Sequence, residues 1–508
     1  MSKKEILLSL TKKYGTPLYA YDLSIIRRQI TTLKEILPVG FLLFYSIKAN
    51  PNLGITTFVK DYVTGAEIAS EGELYTAIYS GISPQQIIFV GPGKTQQELE
   101  YAIKNNILCI VVESISELKI INSISKTIGK KTSIALRINP KKELDGARIK
   151  MGGISKQFGI DEEKLDEVFK IMMTLENIEF EGIHVYVGTQ ILDTDNIIQN
   201  FRNILELAKS IQSIYNVKLK VVDFGGGFGI PYFSKEMPLN IISLRDGLQQ
   251  VYDKYKKEFS SSTRFIVESG RFIMAESGCY LTKVLYKKES RGKTYLVTNG
   301  GANHHSSAAG IGRFVRHNFP IDIIQTHDND LVKRVDIVGP LCTPSDVIAQ
   351  NIELPEAKEG DTIAIMKSGA YGLTASMTYF LSHNHPAEVA YEKNSSYLIR
   401  ERGKKEFLIE NQYVIENYCV KKGGNMKNIE LKVKNILGSV IQFQTDIEKI
   451  NVEDDLFSLG MDSMNILKVI IEIESEFDFI FNDDELTADN FRQIKCIAEN
   501  IERRIENV

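Results

Sequence analysis

Three ionisable side chains that could do carbonyl or acid–base chemistry stand at the ends of short apolar runs. Lys48 directly follows the run FLLFYSI (41–47), Glu67 stands late in a second run, and Glu268 ends another. An amine that emerges from an apolar run loses part of its hydration, which lowers its pKa and favours the neutral form that attacks a carbonyl carbon. Lys48 is therefore a candidate for Schiff-base formation. The structural alternative is a lysine whose stem only covers apolar surface at a strand end.

Further polar groups follow the neighbouring apolar runs. They are Arg137 in SIALRI (133–138), His184 and Tyr186 in the run 181–187, and Gly225, Gly226 and Gly227 in VDFGGGFG (222–229). The backbone N–H groups of a glycine loop can bind a phosphate, although glycines at a turn need no ligand. Together these residues predict a site with a lysine, carboxylates, an arginine and an anion-binding loop.

Eight short apolar runs, often β-branched, predict the strands that position these groups: 41–47, 63–69, 87–91, 108–112, 133–138, 181–187, 220–224 and 264–268. Stretches with apolar residues at helical spacing lie between them, for example 113–125 and 161–175. Eight alternating units predict a (β/α)8 barrel, with a doubly wound open sheet as the alternative. Because working residues of such barrels lie at the carboxyl ends of the strands, the candidates share one mouth.

After about residue 270 the pattern changes to strands without intervening helices, at 293–299, 361–367 and 412–420, which predicts a β domain.

Eight motifs follow one another through most of the chain: YGTPLYAYD (14–22), FYSIKANPN (44–52), LRINP (136–140), GIHVYVGTQ (182–190), VDFGGGFG (222–229), VESGR (267–271), VGPLCTPSD (338–346), and GAYG with PAEV (369–372 and 386–389). In this order they resemble the pyridoxal-phosphate (PLP) decarboxylases of the ornithine and diaminopimelate type. The resemblance implies that the barrel is of the alanine-racemase-like kind, and that the protein is an enzyme with PLP as cofactor.

The resemblance also implies roles for single residues. Lys48 would bind PLP as a Schiff base, and Glu268 would pair with the pyridine nitrogen, so that the ring accepts the electrons released when the α-carboxylate leaves. Cys342 would be a catalytic thiol that reaches into the neighbour's site in an obligate homodimer, and Cys342 or Lys48 would return a proton. The phosphate would be held by Gly225, Gly226, Gly227, Arg271 and Tyr371. Glu67, Arg137, His184, Tyr186 and Gly270 complete the expected cofactor site, and Arg313, Arg316 and Asp346 are expected to contact the substrate.

Two departures from the family pattern concern the cofactor ring and the substrate. Tyr186 stands where relatives have a histidine stacked on the cofactor ring, and its ring can stack without the imidazole charge. CTPSD (342–346) replaces the Cys-Glu-Ser-Gly-Asp of diaminopimelate enzymes, so the acidic residue for a distal amino group is missing at Thr343. The stretch 299–320 and the GIHVYVGTQ motif more closely resemble decarboxylases that work beside acyl carrier proteins, including the L-glutamyl-carrier and exosortase-associated groups.

The C-terminal part of the chain carries a second motif. DLFSLGMDSMN (455–465) resembles the phosphopantetheine attachment site of acyl and peptidyl carrier proteins, with Ser463 as the attachment residue at the start of a helix. The alternative for Asp462–Ser463 is a simple helix N-cap pair. Apolar residues at helical spacing predict three helices of a small all-α bundle, namely Ile429, Val433, Ile436 and Val440, then Ile466, Ile470, Ile473 and Phe477, then Phe491, Ile494, Ala498, Ile501 and Ile505.

These patterns predict five regions: an N-terminal segment 1–22 that joins the β domain, the barrel 23–270, the β domain 271–420, a linker 421–428 and the carrier domain 429–508. Charge separates the last region from the rest. Residues 426–508 have nine Lys and Arg against 18 Asp and Glu, whereas residues 1–425 have a net charge of +5.

Composition excludes several classes of protein. With 43% hydrophobic and 25% charged residues the chain is typical of a soluble globular protein, and it has neither a basic stripe for nucleic acid nor an apolar run long enough to span a membrane. Five scattered cysteines predict neither a disulfide framework nor a zinc site, and we expect a cytoplasmic protein. GPGKT (91–95) lacks the first glycine of a P-loop, and His304, His305, His383 and His385 are expected to be loop histidines that line the cleft or are solvated rather than metal ligands.

The combination of domains suggests a substrate. An amino acid linked to a carrier through its α-carboxyl has no free α-carboxylate to lose, so decarboxylation on a carrier requires linkage through a side-chain carboxyl. γ-Linked glutamate, which would become a 4-aminobutanoyl thioester for a secondary metabolite, is the simplest fit, and β-linked aspartate is the shorter variant. A phosphopantetheinyl transferase and a loading ligase would then be partners.

Three alternatives stay open. One is decarboxylation of a free basic amino acid (lysine, ornithine, arginine or diaminopimelate), with Asp346 facing the distal amine and the carrier serving a later step. Another is a carrier scaffold with an idle barrel. A racemase is the third, because the barrel is shared.

Overall fold

Eight parallel strands close into a barrel in the first of the two compact units of the chain, which comprise residues 1–408 and 409–508. The computed structural model describes residues 2–141, 149–150, 157–312, 317–325, 331–413, 426–443, 445–477, 479–482 and 484–506.

The chain enters the barrel after one helix and one strand of the β domain. The elements up to the end of the barrel are α1 (Lys3–Tyr14), β1 (Leu18–Asp22), α2 (Leu23–Ile36), β2 (Leu42–Ser46), α3 (Leu53–Val59), β3 (Gly65–Ile68), α4 (Glu71–Tyr79), β4 (Ile87–Phe89), α5 (Gln96–Asn105), β5 (Cys109–Val112), α6 (Ile115–Ile128), β6 (Thr132–Asn139), β7 (Ile149–Lys150), β8 (Ile160–Asp161), α7 (Leu165–Met172), β9 (Ile178–His184), β10 (Gly188–Thr189), α8 (Thr194–Tyr215), β11 (Val221–Asp223), α9 (Ile241–Tyr255), β12 (Arg264–Ser269) and α10 (Arg271–Met274).

The barrel consists of β2, β3, β4, β5, β6, β9, β11 and β12, each paired in parallel with the next. Pairing of β12 with β2 closes the ring. The predicted (β/α)8 barrel is therefore confirmed at all eight runs, and the open doubly wound sheet is wrong.

The barrel is filled by apolar side chains from its own strands. Phe44, Ile88, Val111, Val221 and Ile266 are buried in one cluster with neighbours from the same strands. Each such side chain stabilises the fold by about 1.5–3 kcal/mol through burial, and together they make the interior a packed core rather than a pore. Catalytic groups are thereby restricted to the mouth at the carboxyl ends of the strands.

Several helices of the first unit begin at the side chains that the sequence offers as caps. Ser2 and Thr95 form capping boxes with Glu5 and Glu98, and Asp193 accepts the Asn196 N–H at the start of α8. These contacts satisfy backbone N–H groups that the first helical turn leaves without partners.

A second sheet forms the β domain. Its further strands are β13 (Gly278–Ser290), β14 (Lys293–Thr298), β15 (Ile321–Ile323), β16 (Val332–Val338), β17 (Val347–Pro355), β18 (Thr362–Met366), β19 (Ala387–Glu392) and β20 (Ser395–Arg400). β1 lies between β13 and β19, antiparallel to the first and parallel to the second, so the N-terminal segment joins this domain. The strand expected at 412–420 falls mostly outside the described residues.

Three helices form the C-terminal bundle: α11 (Met426–Val440), α12 (Ser463–Phe477) and α13 (Ile494–Glu506). Val433, Leu437, Ile473, Ile494 and Ile501 are among the fully buried side chains of its core. The predicted bundle is confirmed, although α11 begins within the segment expected to be a linker. Among the described residues, no helix combines the length and the apolar character needed to span a membrane.

Candidate active site

Lys48 lies on a single helical turn, Ile47–Ala49, directly after β2, and it meets a buried carboxylate from the next strand. Its Nζ donates to Oε1 of Glu67 at 2.6 Å, and the Glu67 side chain is fully buried whereas that of Lys48 is 37% exposed. Burial lowers the pKa of Lys48, but the carboxylates of Glu67 and Glu268 outweigh it, and the pKa lies above its ordinary value. The expected lowering of this pKa is therefore wrong, because the sequence did not show that β3 places a carboxylate on the amine.

Glu268, His184 and Asp223 end the strands β12, β9 and β11 and meet in the floor of the mouth. All three are buried, and each offers an atom within 4.8 Å of the others. His184 Nε2 lies 3.4 Å from Glu268 Oε1. Although burial raises the pKa of Glu268, its interactions with His184, Lys48 and Arg137 lower it below the ordinary value, so this carboxyl is held as a carboxylate. Sequence reasoning missed Asp223, which it regarded only as part of the glycine motif.

The glycine loop follows β11 and packs against the strand that carries Glu268. Gly225 has φ +59°, a conformation that favours glycine, and Asp223 Oδ1 accepts its N–H at 2.8 Å. A Cβ atom at Gly226 would lie 2.5 Å from the backbone oxygen of Glu268. The loop can therefore approach the cavity only with glycine at these positions.

Arg271 lies between two tyrosine rings beside this loop. Its guanidinium carbon is 4.6 Å from the ring centre of Tyr371 and 5.9 Å from that of Tyr232, and Nη1 donates to the Tyr232 hydroxyl at 3.3 Å. Tyr371 has φ +53°, and its N–H donates to the carbonyl of Ala49 at 2.8 Å. This contact attaches the β domain to the turn that carries Lys48.

The structure brings most of the predicted cofactor residues around one cavity. It is lined by Lys48, Tyr186, Gly226, Gly227, Glu268, Gly270, Arg271 and Tyr371, together with Ser46, Thr189, Phe228 and Ser269, which sequence reasoning missed. The ring centre of Tyr186 is 6.0 Å from Lys48 Nζ. Glu67, His184 and Gly225 stand behind this lining and contact Lys48, Glu268 and Tyr186, respectively.

Arg137 is not in the cavity lining. Its Nη1 donates to Glu113 Oε1 at 2.9 Å, and both side chains are buried. Glu113 also accepts the N–H groups of Gly91 and Gly159, so the pair joins the loops that follow β4, β5 and β6. Arg137 therefore supports the mouth, and the motif showed only its position at a strand end.

The predicted catalytic thiol Cys342 and the predicted substrate residue Asp346 are absent from the lining of this cavity. Cys342 is exposed and does not line the cavity within one chain. Asp346 is buried, and its two carboxylate oxygens accept the N–H groups of Ala302 and Leu341, both at 2.7 Å. These bonds give Asp346 a structural role in place of contact with a substrate amine. Arg313 and Arg316 lie outside the described residues.

Two other sequence features have structural roles. Lys94 of GPGKT is buried and donates to the carbonyls of Gly91 and Val111 and to Glu117. His304 and His305 are buried, which corrects the expectation of cleft-lining or solvated loop histidines. His304 contacts the Tyr280 hydroxyl and the Asn384 carbonyl, and burial lowers its pKa to about 4.

In the second unit, Ser463 is the first residue of α12 and is exposed. Asp462 accepts the Asn465 N–H at 2.8 Å and so supplies the N-cap. The positive end of the helix dipole would favour a phosphodiester on the Ser463 hydroxyl. Asp462 thus acts as the N-cap, and the Ser463 hydroxyl stays accessible for attachment.

The cavity fits the groups of PLP. The amine of Lys48 opens into it, and among the described residues Glu268 Oε1 and Arg271 Nε are buried polar atoms without a hydrogen-bond partner. A pyridinium N–H and a phosphate would satisfy these two atoms. In this cavity Lys48 would hold the aldehyde, Glu268 would pair with the ring nitrogen, and Arg271 with the Gly226–Gly227 backbone would hold the phosphate.

Two family models match the chain. The model of the pyridoxal-dependent decarboxylase, pyridoxal binding domain, matches residues 23–275, and that of the phosphopantetheine attachment site matches residues 432–495. The first covers the barrel, and the second covers the helical bundle with Ser463.

Characterised relatives agree with these models. The chain is 36% identical to the L-glutamyl-[BtrI acyl-carrier protein] decarboxylase of Niallia circulans, over 81% of this chain and 97% of the relative. It is 32% identical to the diaminopimelate decarboxylase of Aquifex aeolicus, over 80% and 93% of the two chains. The crystal structure of the diaminopimelate decarboxylase from Methanocaldococcus jannaschii with L-lysine superposes with a TM-score of 0.74 at 29% identity, over 80% of this chain and 94% of that one.

With eight strands closed around a lysine–carboxylate mouth and relatives of this kind over four-fifths of its length, the chain belongs to the PLP-dependent decarboxylases of the ornithine and diaminopimelate type and carries a C-terminal phosphopantetheine-binding domain.

Proposed function

We propose that the protein decarboxylates an amino acid that is attached through its side-chain carboxyl to the phosphopantetheine arm on Ser463. The single observation that carries this proposal is the presence, in one chain, of a PLP decarboxylase barrel and a carrier domain with its attachment serine exposed. The similarity to an enzyme named for a glutamyl-carrier substrate supports glutamate as the amino acid.

The linkage follows from the reaction. Decarboxylation breaks the bond between the α-carbon and the α-carboxylate and releases CO2, and the α-carbon then takes up one proton in its place. PLP, when bound, withdraws electrons from the α-carbon through its protonated ring. The α-carboxylate must be free, so the thioester has to be at the γ-carboxyl of glutamate, and the product is a 4-aminobutanoyl thioester.

Residues of the mouth support each requirement of this chemistry. The Glu67 carboxylate accepts a hydrogen bond from the Lys48 ammonium and so holds the amine at the cavity. Glu268 holds negative charge where the ring nitrogen would lie. Tyr186 covers one side of the cavity with an uncharged ring.

Among the cysteines that the structure describes, none lines the cavity, which supports a proton-donating thiol from a second copy of the chain. We propose a homodimer in which Cys342 of a second copy completes the site. A phosphopantetheinyl transferase would modify Ser463, and a ligase would load the amino acid.

A direct test uses γ-L-glutamyl-coenzyme A and a phosphopantetheinyl transferase to place a γ-glutamyl arm on Ser463 of the full chain. Intact-protein mass spectrometry should show loss of one CO2 with PLP present, and none in Lys48→Ala. As a matched control, glutamate attached through its α-carboxyl should keep its mass. A stable γ-glutamyl adduct in the PLP-loaded wild type would refute the proposal.

The alternative of a free basic amino acid has less structural support, since Asp346 is occupied by two backbone N–H groups. It makes a distinct prediction: Ser463→Ala would release CO2 from free lysine, ornithine or arginine at the wild-type rate.

A further inference from the structure

Asp223 is a buried carboxyl group directly behind the cavity, and neither the motifs nor the comparisons give it a role. It ends β11 and is 1% exposed. Its Oδ1 accepts the Gly225 N–H, whereas its Oδ2 is buried and has no hydrogen-bond partner among the described residues. A carboxylate oxygen in that position would cost free energy, because it has lost water without gaining a donor.

The neighbour of Asp223 is the carboxyl of Glu268. The nearest oxygens of the two groups and a nitrogen of His184 lie within 4.8 Å of one another. Two carboxylates cannot both stay ionised in one buried space, so one of the pair carries a proton. Glu67 adds negative charge to the same region, and the Cys109 thiol of β5 interacts electrostatically with Asp223.

The side chains around the pair decide which of the two carboxyl groups is protonated. His184, Lys48 and Arg137 all favour the charged form of Glu268. Asp223 has the Gly225 N–H as its hydrogen-bond donor, and burial together with the charge of Glu268 raises its pKa well above the ordinary value. The proton therefore belongs to Asp223.

We propose that Asp223 is a positioning residue that stays protonated, donates a hydrogen bond from its Oδ2 hydroxyl to the Glu268 carboxylate, and holds the glycine loop through Oδ1. This inference rests on the assignment of Glu268 to the ring nitrogen and not on the identity of the substrate. One neutral side chain thereby joins Glu268, which would pair with the ring nitrogen, to the glycine loop, which would hold the phosphate, and keeps the two at a fixed spacing.

The proposal predicts that asparagine can take over the role of this aspartate in PLP binding. In Asp223→Asn the amide oxygen can accept the Gly225 N–H and the amide N–H can donate to Glu268, so the PLP dissociation constant should stay within about threefold of the wild type. Asp223→Leu fills a similar volume without either bond, and PLP should bind about 10- to 100-fold more weakly. An ionised, charge-requiring Asp223 would instead make asparagine as damaging as leucine.

A matched control tests whether asparagine is simply tolerated at buried aspartates. Asp346 accepts N–H groups at both oxygens, so Asp346→Asn must turn an amide N–H towards a backbone N–H. It should lower the melting temperature of the apo-protein, whereas Asp223→Asn should leave it unchanged. Equal melting temperatures of the two variants would contradict the proposal that Asp223 donates a hydrogen bond where Asp346 only accepts.

Infrared spectroscopy of the apo-protein reads the proton directly. The spectra are recorded at about pH 8, where Glu73, whose pKa is raised to about 7 by burial, is mostly ionised. The wild-type spectrum minus that of Asp223→Asn should show the C=O band of one protonated carboxylic acid. A difference spectrum with only carboxylate bands would overturn the proposal. None of these three measurements uses a carrier-bound amino acid, so failure of the proposed function would leave the role of Asp223 untouched.

Discussion

Replacement of Glu67 by glutamine should change the acidity of Lys48 more than any other single substitution at the mouth. The change removes one charge and keeps the shape of the side chain. In the structure Glu67 Oε1 accepts from Lys48 Nζ at 2.6 Å, which makes this carboxylate the closest countercharge of the amine.

The expected magnitude follows from this distance. Two unit charges 2.6 Å apart attract by about 6 kcal/mol at an effective dielectric constant of about 20. Because the Lys48 side chain is 37% exposed, water screens the pair, and we take about half, roughly 3 kcal/mol. Since about 1.4 kcal/mol corresponds to a tenfold change in the acid dissociation constant, the pKa of Lys48 should fall by about two pH units.

The assay is the rate at which apo-protein captures PLP as a function of pH, followed by the absorbance of the bound cofactor. Because only the neutral amine reacts, the rising limb of the rate profile should move by about two pH units to lower pH in Glu67→Gln. Glu73→Gln is the matched control, because this carboxylate accepts the Ala69 N–H and does not contact Lys48. A profile that does not move in Glu67→Gln would refute the assigned ion pair as the origin of the raised pKa.

Three further predictions concern assembly, packing and pH. Mixing inactive Lys48→Ala with inactive Cys342→Ala should restore about one quarter of the decarboxylase activity, since half of the dimers are mixed and each has one intact site; no recovery after subunit exchange would exclude the shared site. Glu113→Ala should lower the free energy of unfolding by about 3–5 kcal/mol in urea because it leaves buried Arg137 unpaired, whereas Glu353→Ala, which breaks an exposed pair with Arg334, should cost about 1 kcal/mol or less. Equal losses would contradict the burial argument. The pKa of His304 is about 4 when folded and about 6.5 when unfolded, so the unfolded state binds more protons between these values, and stability should fall by about 2 kcal/mol from pH 7 to pH 5. His304→Gln should lack this component of the pH dependence in urea titrations.

The alternation of strands and helices could be predicted from the sequence, because burial on a barrel strand leaves a local apolar pattern. Each of the eight runs overlaps a barrel strand, and the motifs include Lys48, Glu268 and Arg271, which line one cavity. The start of α12 at Ser463 could also be predicted, because a capping residue and the apolar positions of the helix lie within a few residues of each other in the sequence.

Roles that depend on a partner from another strand could not be predicted in this way. Asp346 has the same local sequence whether it faces a substrate or two backbone N–H groups, and only the folded loop supplies Ala302 and Leu341 as donors. Arg137 likewise acquires its role from Glu113, which ends the preceding strand region.

The sequence by itself thus determined which chemical groups the protein has and at which strand ends they stand. The tertiary structure alone decided their charges. A pKa depends on distances to charges that lie far away in the chain, and barrel closure sets those distances by bringing β2, β3, β11 and β12 together. For that reason the apolar run before Lys48 predicted a weakly basic amine, and the folded barrel makes it a strongly basic one beside Glu67.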